Sequence, residues 1–197
     1  MKNLFILLYL AAGPLFSETK VLVFAGSTRA ESYNRQLAQE AVQVARGMGA
    51  KVTMIDLKDY PMPFYDADLE AKEGMPKNAK RLRALMVESD AILIASPEYN
   101  ASIPAVLKNA LDWASRDEAG GSSRSAFKGK KFGIMSASPG KLGGSRGLVH
   151  LRAVIQDVGG EVVEKQVSVP SAYQVAMGNS ALKKELQEEI KEVLRPQ

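Results

Sequence analysis

The chain of 197 residues contains no cysteine and a single histidine, His150. Without cysteine there is no disulfide, no thiolate nucleophile and no sulfur ligand for a zinc ion or an iron–sulfur cluster. A single histidine also weighs against a histidine metal site, so we expect no metal centre. Chemistry that depends on thiols or disulfides is therefore excluded.

The sequence also has only a small excess of positive over negative charge. The formal net charge is +4, and lysine and arginine alternate with glutamate and aspartate instead of forming basic runs. A nucleic-acid surface needs such runs, so no nucleic-acid partner is expected, whereas a modest positive excess suits small anionic ligands. Apolar residues make up 46% and charged residues 24%, which excludes disorder, and the absence of linkers and repeats predicts one domain.

The longest apolar run near the N terminus, residues 4–12, is too short to span a bilayer. It follows Lys2 and precedes Gly13 and Pro14, a pattern that resembles a short secretory signal. The single positive charge and the lack of a clean A-x-A cleavage site weigh against a signal, and the alternative is an N-terminal extension ahead of the domain. Both interpretations stay open for residues 1–18, and the domain is expected over residues 19–197.

From Val21 onward, strand patterns alternate with helix patterns. Residues at helical spacing separate five apolar segments that are typical of buried parallel strands, at 21–24, 52–55, 91–95, 131–135 and 162–169. The alternation predicts an α/β fold, a three-layer sandwich with a five-stranded parallel sheet and helices on both faces. Five strands suit the flavodoxin-like order 2-1-3-4-5, which binds FMN at the switch point between strands one and three.

The loop after the first predicted strand is rich in polar side chains: Ser27, Thr28, Arg29, Ser32 and Asn34. It places hydroxyls, an amide and a guanidinium beside the free N–H groups of a helix N terminus. Such a nest suits a phosphate dianion, because the helix dipole and charge-assisted hydrogen bonds both favour negative charge. Each residue alone would be a turn or capping residue, but together they favour phosphate binding.

Two more unusual loops follow strands three and four. Since strands one, three and four are neighbours in this order, the three loops are expected to share one crevice. The second loop is a rigid polar turn whose amides suit the edge of a planar heterocycle, with Tyr99 as an apolar wall. The third, residues 136–144, is rich in glycine, which lets backbone approach a flat ring closely.

The three loops carry the motifs GSTR-x-x-S-x-N, SPEYN-x-S-x-P-x-x-L-K-N-A-L-D-W and SPG-x-x-GG. Together they resemble the NADPH-dependent FMN reductase family, which includes quinone, azo-dye and chromate reductases, and the resemblance covers roughly residue 20 to the C terminus. It implies a flavodoxin-like fold, tightly bound FMN, and ping-pong hydride transfer from NADPH or NADH through the flavin to a small-molecule acceptor. It also makes a homodimer or homotetramer plausible.

The resemblance assigns roles to the matching residues. Ser27, Arg29, Ser32 and Asn34, with Thr28 among them, would hold the FMN phosphate. The isoalloxazine and ribityl chain would be bordered by Pro97, Glu98, Tyr99 and Asn100, and the ring's other edge by the third loop with Ser136, Ser138 and Gly140. A flavin carries hydride chemistry itself, so no catalytic side chain is named. Because NAD(P)H is an intracellular reductant, we expect cytoplasmic function and no membrane span.

Two other classes of protein are compatible with parts of the same sequence. Residues 143–147 match the G-x-S-x-G pattern of serine hydrolases, but His150 follows within about a turn and a half on the same predicted helix, which does not fit a catalytic triad. A non-enzymatic flavodoxin-like electron carrier would use the same fold. Such carriers are usually strongly acidic, whereas this chain is basic, which favours a reductase.

Overall fold

A parallel sheet forms the centre of the computed structural model, which describes residues 18–196. The strand order is β2-β1-β3-β4-β5, with β6 also pairing with β4, and every pair is parallel. The strands are β1 (Lys20–Ala25), β2 (Lys51–Asp56), β3 (Ala91–Ala95), β4 (Lys131–Ala137), β5 (Glu161–Val162) and β6 (Val167–Val169). The predicted order is confirmed. The predictions for the N-terminal segment fall almost wholly on residues 1–17, outside the described residues.

Helices cover both faces of the sheet, as predicted. They are α1 (Tyr33–Gly47), α2 (Ala67–Glu73), α3 (Lys77–Glu88), α4 (Ala105–Ala114), α5 (Ser145–Asp157) and α6 (Ser180–Val193). Alternate residues of β1 point to opposite faces. Val21 and Val23 belong to the core shared with α1 and α6, whereas Leu22 and Phe24 belong to the core shared with α3, α4 and α5.

The predicted fifth strand over residues 162–169 is wrong as one continuous strand. It is split into β5 and β6, which pair with different parts of β4. Between them the guanidinium of Arg152, on α5, donates to the carbonyl oxygens of Val162 (3.0 Å) and Val163 (2.6 Å). Because a side chain satisfies these carbonyls, the backbone leaves the ladder without burying unpaired groups.

The carboxyl ends of β1, β3 and β4 lie side by side at one edge of the sheet. The loops that follow these strands therefore meet at that edge, as the sequence predicts. No helix among residues 18–196 is long and apolar enough to cross a bilayer.

Candidate functional site

A cavity of about 110 Å³ lies at the carboxyl edge of the sheet, between the three loops. It is lined by Ser27, Arg29, Ser32, Tyr33, Asn34, Pro97, Glu98, Tyr99, Ala137, Ser138 and Pro139. Eight of the twelve predicted site residues are therefore brought together. The other four, Thr28, Asn100, Ser136 and Gly140, do not line it. Three further residues do, although they are not among the predicted ones: Tyr33, Ala137 and Pro139.

The first loop and the start of α1 form the donor-rich side of the cavity. Ser32 caps α1, and its Oγ accepts a hydrogen bond from the backbone N–H of Arg35 (3.4 Å). The Oγ of Ser27 accepts a hydrogen bond from the backbone N–H of Arg29 (3.3 Å). Each hydroxyl keeps its own proton to donate. The exposed Arg29 guanidinium donates to the carbonyl of Glu31 (2.5 Å), and the first turn of α1 contains no acidic residue. This donor set fits a phosphate dianion at a helix N terminus.

Asn34 connects two of the loops. Its buried side-chain Nδ2 donates to the carbonyl of Ala137 (2.8 Å), and the N–H of Ala137 donates to its Oδ1 (2.9 Å). The amide thereby ties the first turn of α1 to the end of β4. A direct contact with a phosphate would use only the second N–H of the amide, so the main effect of Asn34 in this arrangement is to hold the crevice together.

The second loop contains a tight turn that exposes Tyr99. The N–H of Tyr99 donates to the carbonyl of Ser102 (2.9 Å) and the N–H of Ser102 to that of Tyr99 (3.0 Å). Asn100 and Ala101 both have left-handed backbone, with φ of 51° and 62°, as a type I′ turn requires. Alanine rarely adopts this conformation, so the turn stores strain. Tyr99 remains 54% exposed beside the cavity, and Asn100 lies at the tip of the turn.

Glu98 attaches the second loop to α5. Its side chain, only 8% exposed, accepts hydrogen bonds from Nε of Arg146 (2.9 Å) and from the N–H of Gly147 (3.1 Å). Burial raises the pKa of Glu98, but the hydrogen bonds from Arg146 and Gly147 outweigh it, and the net pKa is below its ordinary value. The ionised carboxylate thus caps α5, and any contact with a heterocycle from this position would come from the backbone.

His150 makes a second connection between this loop and α5. Its Nδ1 lies 2.9 Å from the Oγ of Ser102. The histidine is therefore paired with a residue of the second loop and not with Ser145 of the G-x-S-x-G match. The arrangement supports the rejection of a hydrolase triad and gives His150 a structural contact.

The third loop is held by β6 and by its own turn. The Oγ of Ser138 accepts from the N–H of Gly140 (3.0 Å), the N–H of Ser138 donates to the carbonyl of Val169 (3.1 Å), and the carbonyl of Gly140 accepts from Ser171 (3.2 Å). Ser138 lines the cavity, and Gly140 shapes the turn behind it.

Ser136 does not reach the crevice. It is fully buried, and its Oγ has no hydrogen-bond partner among residues 18–196. Gly144, with φ of 85°, lies directly against it, and a side chain at position 144 would overlap the Ser136 hydroxyl. This glycine therefore makes room for Ser136 under the start of α5, a role that differs from the close approach to a flat ring that the sequence suggested.

Fold and site together define a flavodoxin-like α/β protein with a donor-rich crevice at its topological switch point. Residues 19–174 match the model of the family described as NADPH-dependent FMN reductase. The chain belongs to this family, and the resemblance predicted from its motifs is confirmed. Among residues 18–196 no group of three histidine, aspartate or glutamate side chains is placed to hold a metal ion.

Relatives of known class support this membership. An NAD(P)H-dependent FMN reductase of Pseudomonas aeruginosa is 38% identical over 138 residues, 70% of this chain and 70% of that protein. A quinone reductase of Pseudomonas putida is 41% identical over 124 residues, which are 63% of this chain and 62% of that protein's length. The solved flavoenzyme FerB, an NAD(P)H:acceptor oxidoreductase from Paracoccus denitrificans, has a TM-score of 0.72 at 26% identity and covers 89% of this chain and 97% of its own.

Proposed function

We propose that this protein is an FMN-dependent NAD(P)H oxidoreductase that passes two electrons to a quinone, azo compound, chromate or similar small acceptor. The observation that carries the proposal is the single cavity shared by the three loops, with hydroxyl, guanidinium and helix N–H donors on one side and an exposed tyrosine on another. The family match and the names of the relatives support it.

The residues of the crevice have separate tasks in this proposal. Ser27, Arg29 and Ser32 would hold the phosphate of FMN, and Tyr99 would provide an apolar wall beside the ring. Bound FMN would supply the two-electron chemistry, taking a hydride from NAD(P)H and passing it to the acceptor in ping-pong order. The protein binds and orients the reactants, so no side chain of the crevice needs to act as an acid or a nucleophile.

An absorbance spectrum tests the proposal directly. We expect the purified protein, or the protein mixed with FMN and freed of excess, to be yellow. Its flavin absorbance should be lost on anaerobic addition of NADPH or NADH and return on addition of a benzoquinone. Colourless protein that does not bind added FMN would overturn the proposal, and bound FMN that neither nucleotide reduces would support an electron carrier instead.

Replacing Arg29 by alanine is expected to weaken FMN binding by about ten- to a hundred-fold, the worth of one charge-assisted hydrogen bond. Lysine should restore the affinity only in part, because it lacks the planar fork. Riboflavin, which has no phosphate, should bind equally to all three proteins, and turnover at saturating FMN should be largely kept. The measurement is a flavin titration of the apoprotein, with turnover assayed in parallel.

The matched control for Arg29 is Arg46→Ala, which removes an exposed guanidinium from the other end of α1. It should leave FMN affinity unchanged. Unchanged FMN affinity in Arg29→Ala would show that Arg29 does not hold the phosphate. Normal affinity with lost turnover would instead assign Arg29 to the nicotinamide site.

Oligomeric state and compartment are further parts of the proposal. Exposed aromatic side chains, above all Phe64 at 74% exposure, favour a homodimer or homotetramer, which light scattering after gel filtration would measure.

The requirement for NAD(P)H, an intracellular reductant, favours a cytoplasmic location. A mature N terminus near residues 17 and 18 in an exported fraction, determined by mass spectrometry, would contradict that.

A further inference from the structure

Arg35 occupies an unusual position for a cation. It is the third residue of α1, in the first turn of a helix, where the helix dipole disfavours positive charge. A cation at this place requires a compensating partner. Its side chain is 25% exposed, so it does not avoid the dipole by extending freely into water.

The partner is Asp56 at the end of β2. Nη2 of Arg35 lies 2.9 Å from Oδ2 of Asp56. Nη1 of the same guanidinium points to the first loop, where it donates to the carbonyls of Arg29 (3.5 Å) and Ala30 (3.4 Å). One planar group therefore joins the end of β2 to the backbone of the loop that carries Arg29.

Asp56 is an ion-pair partner that two cations share. Nζ of Lys58 lies 3.5 Å from the same Oδ2 that faces Arg35, and the other carboxylate oxygen accepts from the N–H of Lys58 (3.0 Å), which fixes the carboxylate. Both long hydrogen bonds of Nη1 reach the loop that the proposed phosphate site uses. Arg35 itself does not line the cavity, so its effect on a phosphate there would be transmitted through the loop.

We propose that Arg35 is a positioning residue, held by Asp56, that fixes the Arg29 loop in the conformation that binds the FMN phosphate. The inference rests on the proposed function, because it assigns a second layer of support to the same phosphate site. It depends on the fork geometry of arginine. Lysine keeps the charge and can still pair with Asp56, but one ammonium on a flexible stem does not hold the carboxylate and two carbonyls in one plane.

The experiment compares FMN with riboflavin. Arg35→Lys is expected to weaken FMN binding by about tenfold while riboflavin affinity changes less than about twofold, since riboflavin has no phosphate for the loop to hold. Asp56→Asn should shift the two affinities in the same way. The variant with both substitutions should bind FMN about as tightly as the single variant with the lower affinity, because both changes break one connected unit.

Arg46→Lys is the matched control, because Arg46 lies on the same helix and its guanidinium also donates to a backbone carbonyl, that of Val52 (3.4 Å). It should bind both flavins like the unchanged protein. Thermal unfolding of each variant shows whether it is folded. If Arg35→Lys does not fold, Asp56→Asn still tests the proposal.

Two results would overturn the proposal. One is unchanged FMN affinity in Arg35→Lys and Asp56→Asn, and the other is an equal loss for FMN and riboflavin, which would indicate a general structural role. Either result leaves the proposed function intact as long as the unchanged protein binds FMN tightly. Failure of the unchanged protein to bind FMN or riboflavin would instead refute the proposed function.

Discussion

Replacing Glu189 by glutamine is expected to abolish a loss of stability that the unchanged protein shows as the pH rises above the ordinary carboxyl pKa of 4.5. For each pH unit over which only the folded protein keeps the proton, this loss is about 1.4 kcal/mol. At pH 4, where the carboxyl is protonated in both states, the two proteins should differ only by the cost of exchanging a buried carboxyl for an amide. The difference should grow as the pH rises.

The cause is the burial of Glu189 on α6 beneath the central strand β4. Its side chain is fully buried, and neither carboxyl oxygen has a side-chain partner among residues 18–196. Burial raises the pKa of Glu189 well above its ordinary value, and Glu192 raises it further. The backbone N–H of Ile134 and the charges of Lys165 and Arg152 lower it, but less.

The sign of the pH dependence follows from this raised pKa. Above pH 4.5 the unfolded chain loses the proton of Glu189, while the folded protein keeps it. The unfolded state then binds fewer protons, so stability falls as the pH rises until the pH passes the folded-state pKa. Glutamine is neutral in both states and removes this dependence.

Urea unfolding between pH 4 and pH 8 measures the effect. The control is Glu188→Gln, one residue earlier on α6, whose side chain is 49% exposed and pairs with Lys165. This neighbour should not alter the slope of stability against pH above pH 6. Parallel curves for the Glu189→Gln variant and the unchanged protein would show that the buried carboxyl does not stay protonated in the folded state.

The fold was largely predictable because its signals are local. Strands buried on both faces appear as short apolar runs, such as residues 91–95, and the helices between them repeat apolar residues at helical spacing. The break in the fifth strand was not predictable, because it depends on Arg152, a residue of the preceding helix whose contacts arise only after folding. Helix α2 has a weaker sequence signal, because it is short and follows a segment with Pro61 and Pro63; Asp66, which caps it, is its clearest mark.

The site was predictable as a set of loops but not as a set of contacts. Residue type and topology were enough to bring the three loops together. The amide of Asn34 was expected to hold a phosphate, yet it binds the backbone of Ala137, 103 positions away, and the carboxylate of Glu98, for which the sequence predicts no contact, binds Arg146, 48 positions away. Side chains that can bind a ligand can equally bind backbone or a distant charge, and only the folded chain decides between them.

Gly144→Ala is expected to lower the free energy of unfolding by about 2–5 kcal/mol. Left-handed backbone at a non-glycine residue costs about 1–2 kcal/mol. Forcing a methyl group into a packed site costs about 1–3 kcal/mol more. At position 144 the new methyl group would overlap the hydroxyl of Ser136 and lie 2.8 Å from its Cβ.

Gly120→Ala separates the two contributions. Gly120 has a similar φ of 94°, but no heavy atom lies within 4 Å of the position its Cβ would take, so only the backbone cost of about 1–2 kcal/mol is expected. Adding Ser136→Gly to Gly144→Ala removes the overlap and should recover part of the loss. Equal destabilisation by Gly144→Ala and Gly120→Ala would show that Ser136 is not packed against the start of α5.

Gly144→Ala is also expected to weaken FMN binding, whereas Gly120→Ala should leave it unchanged. Ser136 precedes Ala137, whose backbone holds the amide of Asn34, so a displaced Ser136 disturbs the link between α1 and β4. Both residues of that link line the crevice, so its displacement would change the lining where we propose the phosphate binds. Flavin titration of Gly144→Ala at a temperature where it remains folded tests this, and affinity equal to that of the unchanged protein would mean that the crevice tolerates movement at the end of β4.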